Sequence, residues 1–167
     1  HQNVCAAYAA VRTLGVGPHS VKKALESFNG LSHRSQVVTE IGGVVFINDS
    51  KATNVDSAMK ALETFSQVRW ICGGQQKEED ISRLNNVLGN VKKAYIIGAD
   101  SVNFSSQISC DFEICNTMER AVKTAFEEAK EGETILLAPA AASFDQFSSF
   151  EERGEAFVSE IKNLILQ

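Results

Sequence analysis

Proline is almost absent, two residues in 167, while glycine at eleven is ordinary. Collagen-like repeats, mucin-like stalks and proline-rich linkers are thereby excluded. Basic residues are also in short supply: 16 lysines and arginines face 21 aspartates and glutamates, a formal net charge of -5. No Lys/Arg cluster interrupts that balance, so the basic footprint that a nucleic acid or an anionic membrane demands is missing. No apolar run reaches the roughly 18 residues of a membrane span, and no signal peptide is visible. The four cysteines (Cys5, Cys72, Cys110, Cys115) form no CxxC pair, and His1, His19 and His33 are too scattered to complete a zinc set. Such cysteines read as small buried hydrophobes of a reducing compartment. These absences favour a small-molecule or protein partner, with no nucleic acid and no membrane.

What is present is globular: 44% hydrophobic and 22% charged residues. The length fits one domain of roughly 150 residues with an attached fragment. The chain opens at His1, without an initiator Met and inside a helical pattern, which predicts a piece of a longer protein. Val4, Ala7, Tyr8, Val11 and Leu14 follow helical spacing, and a second helix places Val21, Ala24, Leu25 and Phe28 on one face before Asn29-Gly30 stops it. Leu31 to Ser35 reads as a linker.

Beyond it, strands and helices alternate. Gln36–Ile41 and Val44–Asn48 flank Gly42-Gly43, a hairpin signal. Further strands are expected at Val68–Cys72, Ala94–Ile97, Phe112–Cys115 and Thr134–Ala138. Helices are expected around Val55–Phe65, Ile81–Leu88, Met118–Ala129 and Phe150–Leu166, with a shorter element near Val102–Ile108. Near-continuous apolar strands separated by helices predict an α/β, Rossmann-like, mainly parallel sheet of about six strands, with one antiparallel hairpin strand and helices on both faces.

Ligands of such sheets bind beyond the carboxyl ends of the strands, and three loops there are unusual. Asn48-Asp49-Ser50-Lys51-Ala52-Thr53-Asn54 carries six polar residues in seven. A helix N-cap at Thr53 or Asn54 explains one of them and not their density. Cys72-Gly73-Gly74-Gln75-Gln76-Lys77 pairs backbone that a ligand can approach closely with a cation, although an ordinary strand-to-helix turn also fits. Pro139-Ala140-Ala141-Ala142-Ser143-Phe144-Asp145-Gln146-Phe147-Ser148-Ser149-Phe150 offers small residues, a hydroxyl and a helix start that suit a carboxylate. Ser148 or Ser149 as a plain N-cap, with the phenylalanines in the core, explains much of it. Together the loops suit an anion such as a phosphate or a dicarboxylate. No GxGxxG fingerprint, no phosphate loop of the Gly-x-x-x-x-Gly-Lys-Ser/Thr type and no Ser/His/Asp ordering is present. The last strand ends in Pro139-Ala140 without a Lys, which argues against a phosphoryl receiver. The pattern is one of binding and positioning, without a visible catalytic engine.

Asp49-Ser50-Lys51-Ala52-Thr53-Asn54 resembles the signature of the C-terminal domain of the Mur ligase family, in its D-glutamate-adding branch. Ser32-His33-Arg34, Gly73-Gly74 with Lys77, the Pro139–Phe147 segment and Phe150-Glu151-Glu152-Arg153-Gly154 follow in the family's order. Sister ligases and folylpolyglutamate synthases usually carry an Asp-Tyr-Ala-His type motif at the first loop. The resemblance implies an ADP-forming acid–amino-acid ligase of bacterial cytoplasm, with ATP and Mg2+ as cofactors. Its partners would be D-glutamate, UDP-N-acetylmuramoyl-L-alanine and the central and N-terminal domains of the same enzyme. It implies residues 1–31 as the closing helices of the central, ATP-binding domain and residues 32–167 as the C-terminal domain. The phosphate loop and the metal ligands would belong to the central domain, leaving this fragment inactive alone.

Residue by residue, the resemblance implies nucleotide contacts at Arg34 and Asp49, and a charge-neutralising catalytic role for Lys51. Thr53 and Lys77 would hold one carboxylate of D-glutamate, and Ser143 with the N–H groups near Phe144 and Phe150 would hold the other. No metal ligand is implied here. His1-Gln2-Asn3-Val4-Cys5 departs from the family's His-Asn-x-x-Asn, replacing both asparagines with Gln2 and Cys5. Two other readings stay open at this point: a stand-alone Rossmann-like binding or interaction module without catalysis, and a related ligase using another amino acid.

Overall fold

The computed structural model describes residues 2–28 and 30–166. The opening His1 and the helix-stopping Asn29 therefore lie outside the described residues. The chain divides into two compact units, His1–Gly30 and Leu31–Gln167.

The first unit holds α1 (Gln2–Thr13) and α2 (Pro18–Glu26). Pro18 sits in the first turn of α2, where its fixed φ suits a helix and its missing N–H costs nothing. The apolar stripe expected on α2 forms but is not buried: no residue of the helix is enclosed, Leu25 is 46% exposed and Phe28, just beyond, 61%.

The second unit is a six-stranded sheet in the order β1-β2-β6-β3-β4-β5, formed by Gln36–Ile41, Val44–Asn48, Val68–Gly73, Val91–Ile97, Phe112–Asn116 and Thr134–Leu137 as β1 to β6. Only the β1–β2 pair is antiparallel. Its two-residue turn places Gly42 and Gly43 at φ +57° and +76°, values that a side chain would oppose. Every residue of β3 is buried, as expected of a parallel strand covered on both faces. Alternation along the strands sorts the core into two layers. Ile47, Trp70, Cys72, Ile96 and Leu136 face α3 (Val55–Thr64) and α4 (Ser101–Ser105). Phe46, Ile71, Tyr95, Ile97 and Leu137 face α5 (Met118–Glu128) and α6 (Phe150–Ile165).

Helix starts follow local chemistry: Asn54, Thr117 and Ser149 each accept from the N–H three residues on. The segment expected as an α-helix around Ile81–Leu88 is instead a 3-10 helix, Ser82–Asn90. It buries Leu84 and Leu88 as expected. However, Asn85 is committed elsewhere, donating to Gln107 O (3.0 Å) and accepting from Ser109 N (2.8 Å), and Gly89 adds no helical preference.

β6 is inserted between β2 and β3, the strands that precede it in sequence. The loops leaving these three adjacent parallel strands therefore lie side by side at the carboxyl end of the sheet, where α/β folds place their ligands. They are the three loops singled out by their composition.

Candidate functional site

The loop after β2 is fixed by its own backbone. Asp49 N donates to Leu137 O (2.8 Å), Lys51 N to His33 O (3.1 Å) and Ala52 N to Asp49 O (2.9 Å). Asn48 and Ser50 turn inward and are fully buried. Asp49, Lys51 and Thr53 remain partly exposed. Burial pushes the Asp49 carboxyl above its usual value, against the lowering effect of Ser35 and of the Arg34 guanidinium. Lys51 Nζ lies 3.8 Å from the centroid of the Phe150 ring, a cation–π contact that aims the ammonium along the face.

The loop after β3 begins with Gly73 and Gly74 at φ +98° and +128°. A Cβ at either would run into backbone carbonyl oxygen, of Ile97 or of Ala142, so glycine is required twice over. Gln75 pairs with Ala142 in an antiparallel bridge, each N–H donating to the other's carbonyl at 2.9 Å. Lys77 emerges from this braced backbone exposed.

The loop after β6 holds Ala140 at φ +55° and buries Ala140, Ala141, Ala142 and Ser143. Ser143 is 2% exposed, and its hydroxyl makes no hydrogen bond to the described residues. No fully enclosed polar side-chain atom lacks a partner among the described residues, so the hydroxyl is the part of Ser143 that reaches the surface. Phe144 N–H donates to none of the described residues, and Phe150 stands at the first helical position, where an N–H has no intrahelical acceptor. The Phe144 ring is 67% exposed, against the packing alternative that placed it in the core.

The sequence-expected residues thus gather at one strand-end face. Lys51 meets Phe150 directly, Arg34 acts on Asp49, and the Ser143 loop is bonded to the Lys77 loop through Gln75 and Ala142. Arg34 is exposed before β1, whose first residue pairs with Asn48 at the carboxyl end of β2.

The residue that sequence reasoning missed is Arg153. It is 1% exposed and donates to Ser50 Oγ (3.0 Å), Ser50 O (2.9 Å) and Ala141 O (3.1 Å). Ser50 Oγ in turn donates to Phe150 O (2.7 Å), and Asn48 Nδ2 to Gly154 O (3.0 Å). One guanidinium thereby fastens the first turn of α6 to the loops bearing Lys51 and Ser143. Burial lowers it to about 10, with only the Asp145 charge opposing. A Cβ on Gly154 would strike the His33 ring. The available signal was positional: a cation in a helix's first turn opposes the helix dipole and needs a local reason.

Arg34, Lys51, Lys77 and Arg153 form no ion pair among the described residues. The nearby acids are instead committed to backbone: Asp100 accepts from Gln76 N and Asp145 from Ala99 N, both at 2.8 Å. Among the described residues no group of three or more His, Cys, Asp or Glu side chains converges as a metal site. Burial pushes the Cys110 and Cys115 thiols up to about 11 and raises the Cys72 thiol well above its usual value, which suits inert packing. No helix is long and apolar enough to cross a membrane among the described residues.

Fold and face together define a Rossmann-like domain whose strand-end face carries unpaired cations, a hydroxyl and backbone N–H groups. Residues 33–141 match the model of the family described as "Mur ligase, glutamate ligase domain", and the chain belongs to that family. Over 166 residues it is 60% identical to a UDP-N-acetylmuramoylalanine--D-glutamate ligase of Cereibacter sphaeroides, covering 99% of this chain and 36% of that protein. It is 55% identical to the protein of that name in Ruegeria pomeroyi, over 97% of this chain and 35% of the relative. The chain thus spans about a third of the length of these relatives. A pseudomurein peptide ligase type C from Methanothermus fervidus shares the fold, with a TM-score of 0.69 at 17% identity over 97% of this chain and 35% of that one.

Proposed function

We propose that this chain is the amino-acid-binding, nucleotide-completing domain of a ligase that joins D-glutamate to UDP-N-acetylmuramoyl-L-alanine at the expense of ATP. The observation that carries the reading is the strand-end face where Lys51, Lys77 and Arg34 form no ion pair among the described residues and stand with the Ser143 hydroxyl. A dicarboxylic amino acid and a nucleotide phosphate are ligands that such a face accommodates. The names of relatives at 55% and 60% identity support the choice of amino acid and acceptor.

Thr53 and Lys77 hold one carboxylate of D-glutamate. Ser143, with the N–H groups of Phe144 and Phe150, holds the other. Arg34 meets phosphate oxygens, and Asp49 accepts from the nucleotide's hydroxyl groups. The reaction transfers the γ-phosphoryl group of ATP to the acceptor carboxylate and releases ADP. The D-glutamate amine then attacks the acyl carbon and loses a proton, and phosphate departs. Lys51 offsets the negative charge that gathers at the phosphoryl group. This chain's work is orientation: it holds the amine in line and repels no anion. Magnesium, bound outside these residues, would neutralise phosphate charge when present. Residues 1–31 are the closing helices of a preceding ATP-binding domain, 32–167 are the C-terminal domain, and the setting is bacterial cytoplasm.

The test is ADP release by the full-length enzyme. Turnover is expected only when D-glutamate and the UDP-sugar alanine are both supplied, and none is expected from the 167-residue chain alone. Turnover by the isolated chain, or full-length turnover with another amino acid in place of D-glutamate, would overturn the assignment.

A further inference from the structure

Lys77 is an unbonded cation between two immobilised neighbours. Before it, Gln76 N donates to Asp100 Oδ2 (2.8 Å), and Gln76 Oε1 accepts from Asn103 Nδ2 (3.0 Å). After it, Glu78 O accepts from Gln76 Nε2 (2.6 Å), so the backbone is clipped across Lys77 itself. The Glu78 carboxylate then crosses to the neighbouring loop: Glu78 Oε1 accepts from Val55 N at 3.0 Å. Val55 opens α3 two positions after Thr53. Among the described residues this is the one hydrogen bond joining residues 73–80 to residues 48–55.

We infer that Glu78 is a positioning residue that sets the separation of Thr53 and Lys77, and with it the seat of one carboxylate of the amino-acid substrate. The inference rests on the assignment of those two residues to that carboxylate. A plain helix-capping role explains less. Asn54 already caps α3 through Ser57 N (2.9 Å), and Asp56 already places an acid in its first turn. Neither bond reaches the Lys77 loop. The same short segment is also bonded to the loop after β6 through Gln75 and Ala142, next to Ser143. It therefore spans both ends of a dicarboxylate, and Glu78 is the part of it that fixes the Thr53 end. An ammonium whose neighbours are held loses less freedom when it meets its anion, so the effect of Glu78 belongs in substrate affinity.

The experiment uses the full-length enzyme with D-glutamate, ATP and UDP-N-acetylmuramoyl-L-alanine varied in turn. Glu78→Ala is expected to raise the D-glutamate KM about fivefold while the other two KM values stay within about twofold. Glu78→Gln keeps an oxygen acceptor for Val55 N and is expected to restore the D-glutamate KM to within about twofold of wild type. Glu78→Asp, one methylene shorter, keeps the charge but draws the loops together, and the same KM alone is expected to rise. It serves where the alanine variant fails to fold. A uniform change in all three KM values, no change, or a glutamine variant as impaired as alanine would overturn the role. Lys77→Ala separates the two levels: an unchanged D-glutamate KM there rejects the carboxylate assignment itself. A raised value with Glu78→Ala silent rejects only Glu78.

Discussion

The two ends of the sheet treat charge in opposite ways. At the amino ends of β3, β4 and β6, Arg69 lies 2.5 Å from Glu133 and 3.2 Å from Glu128, and donates to Tyr95 Oη at 2.6 Å. Lys93 lies 2.6 Å from Glu128 and 3.0 Å from Glu113. At the carboxyl ends of β2, β6 and β3, Asp100 and Asp145 accept from backbone N–H groups, while Lys51, Lys77, Arg34 and Arg153 form no ion pair among the described residues. A closed network of opposite charges satisfies itself and stabilises the sheet it crosses. Under the proposed function, the cations left single on the other face receive an anion from outside.

That contrast is broken most strongly at the closed end. Arg69→Ala leaves Glu133, 8% exposed, as a buried acid without its counter-ion. The expected loss is about 3–5 kcal/mol of unfolding free energy, read from urea titration, with substrate KM values unmoved in the full-length enzyme. Arg153→Ala removes the donor for Ser50 Oγ, Ser50 O and Ala141 O, and about 2–3 kcal/mol is the expected cost. Here the kinetics should suffer as well, because the loops bearing Lys51 and Ser143 lose their common anchor. A stable variant with native kinetics would mean that the buried guanidinium anchors nothing.

Acid should separate the two ends. Bonds from Lys93 and Arg120 hold the Glu113 carboxyl below its usual 4.5. Burial acts to raise Glu128, but its bonds from Lys93 and Tyr95 prevail and lower it. A depressed folded-state value gives stability that is present above the unfolded value and lost as the pH falls through the folded one. Asp49, raised by burial, has the opposite sign and gains nothing from staying ionised. The urea midpoint should therefore decline as pH drops below about 4.5, and Glu128→Gln should flatten that decline. A midpoint insensitive to acid would show that the network carries no net stability.

Much of this was legible in the residues. The run of β3, apolar except for Arg69, announced a strand covered on both sides, and Gly42-Gly43 announced the hairpin. The density of polar side chains in Asn48–Asn54 exceeded what an N-cap needs, and the surplus divides between buried Asn48 and Ser50 and partly exposed Asp49, Lys51 and Thr53. Other features were invisible for physical reasons. Strand order is a long-range property, so no local period reports that β6 enters between β2 and β3. Ile81, Leu84 and Leu88 fit α spacing while Ile81, Leu84 and Val87 fit the three-residue period of a 3-10 helix, so the apolar pattern does not separate the two, and the bonds of Asn85 to Gln107 and Ser109 are long-range. The partners of Arg153 were invisible because the three neutral acceptors that receive it come from loops distant in sequence or separated by a turn. Leu25 and Phe28 show the converse, an apolar stripe at the right spacing that stays exposed.

The central claim is that the unpaired cations of the carboxyl end are substrate contacts. It is tested most directly by steady-state kinetics of Lys77→Ala in the full-length enzyme. The D-glutamate KM should rise, or kcat/KM fall, at least about tenfold, equivalent to ~1.4 kcal/mol, while the ATP KM stays near wild type. Unchanged D-glutamate kinetics in a folded variant would contradict it.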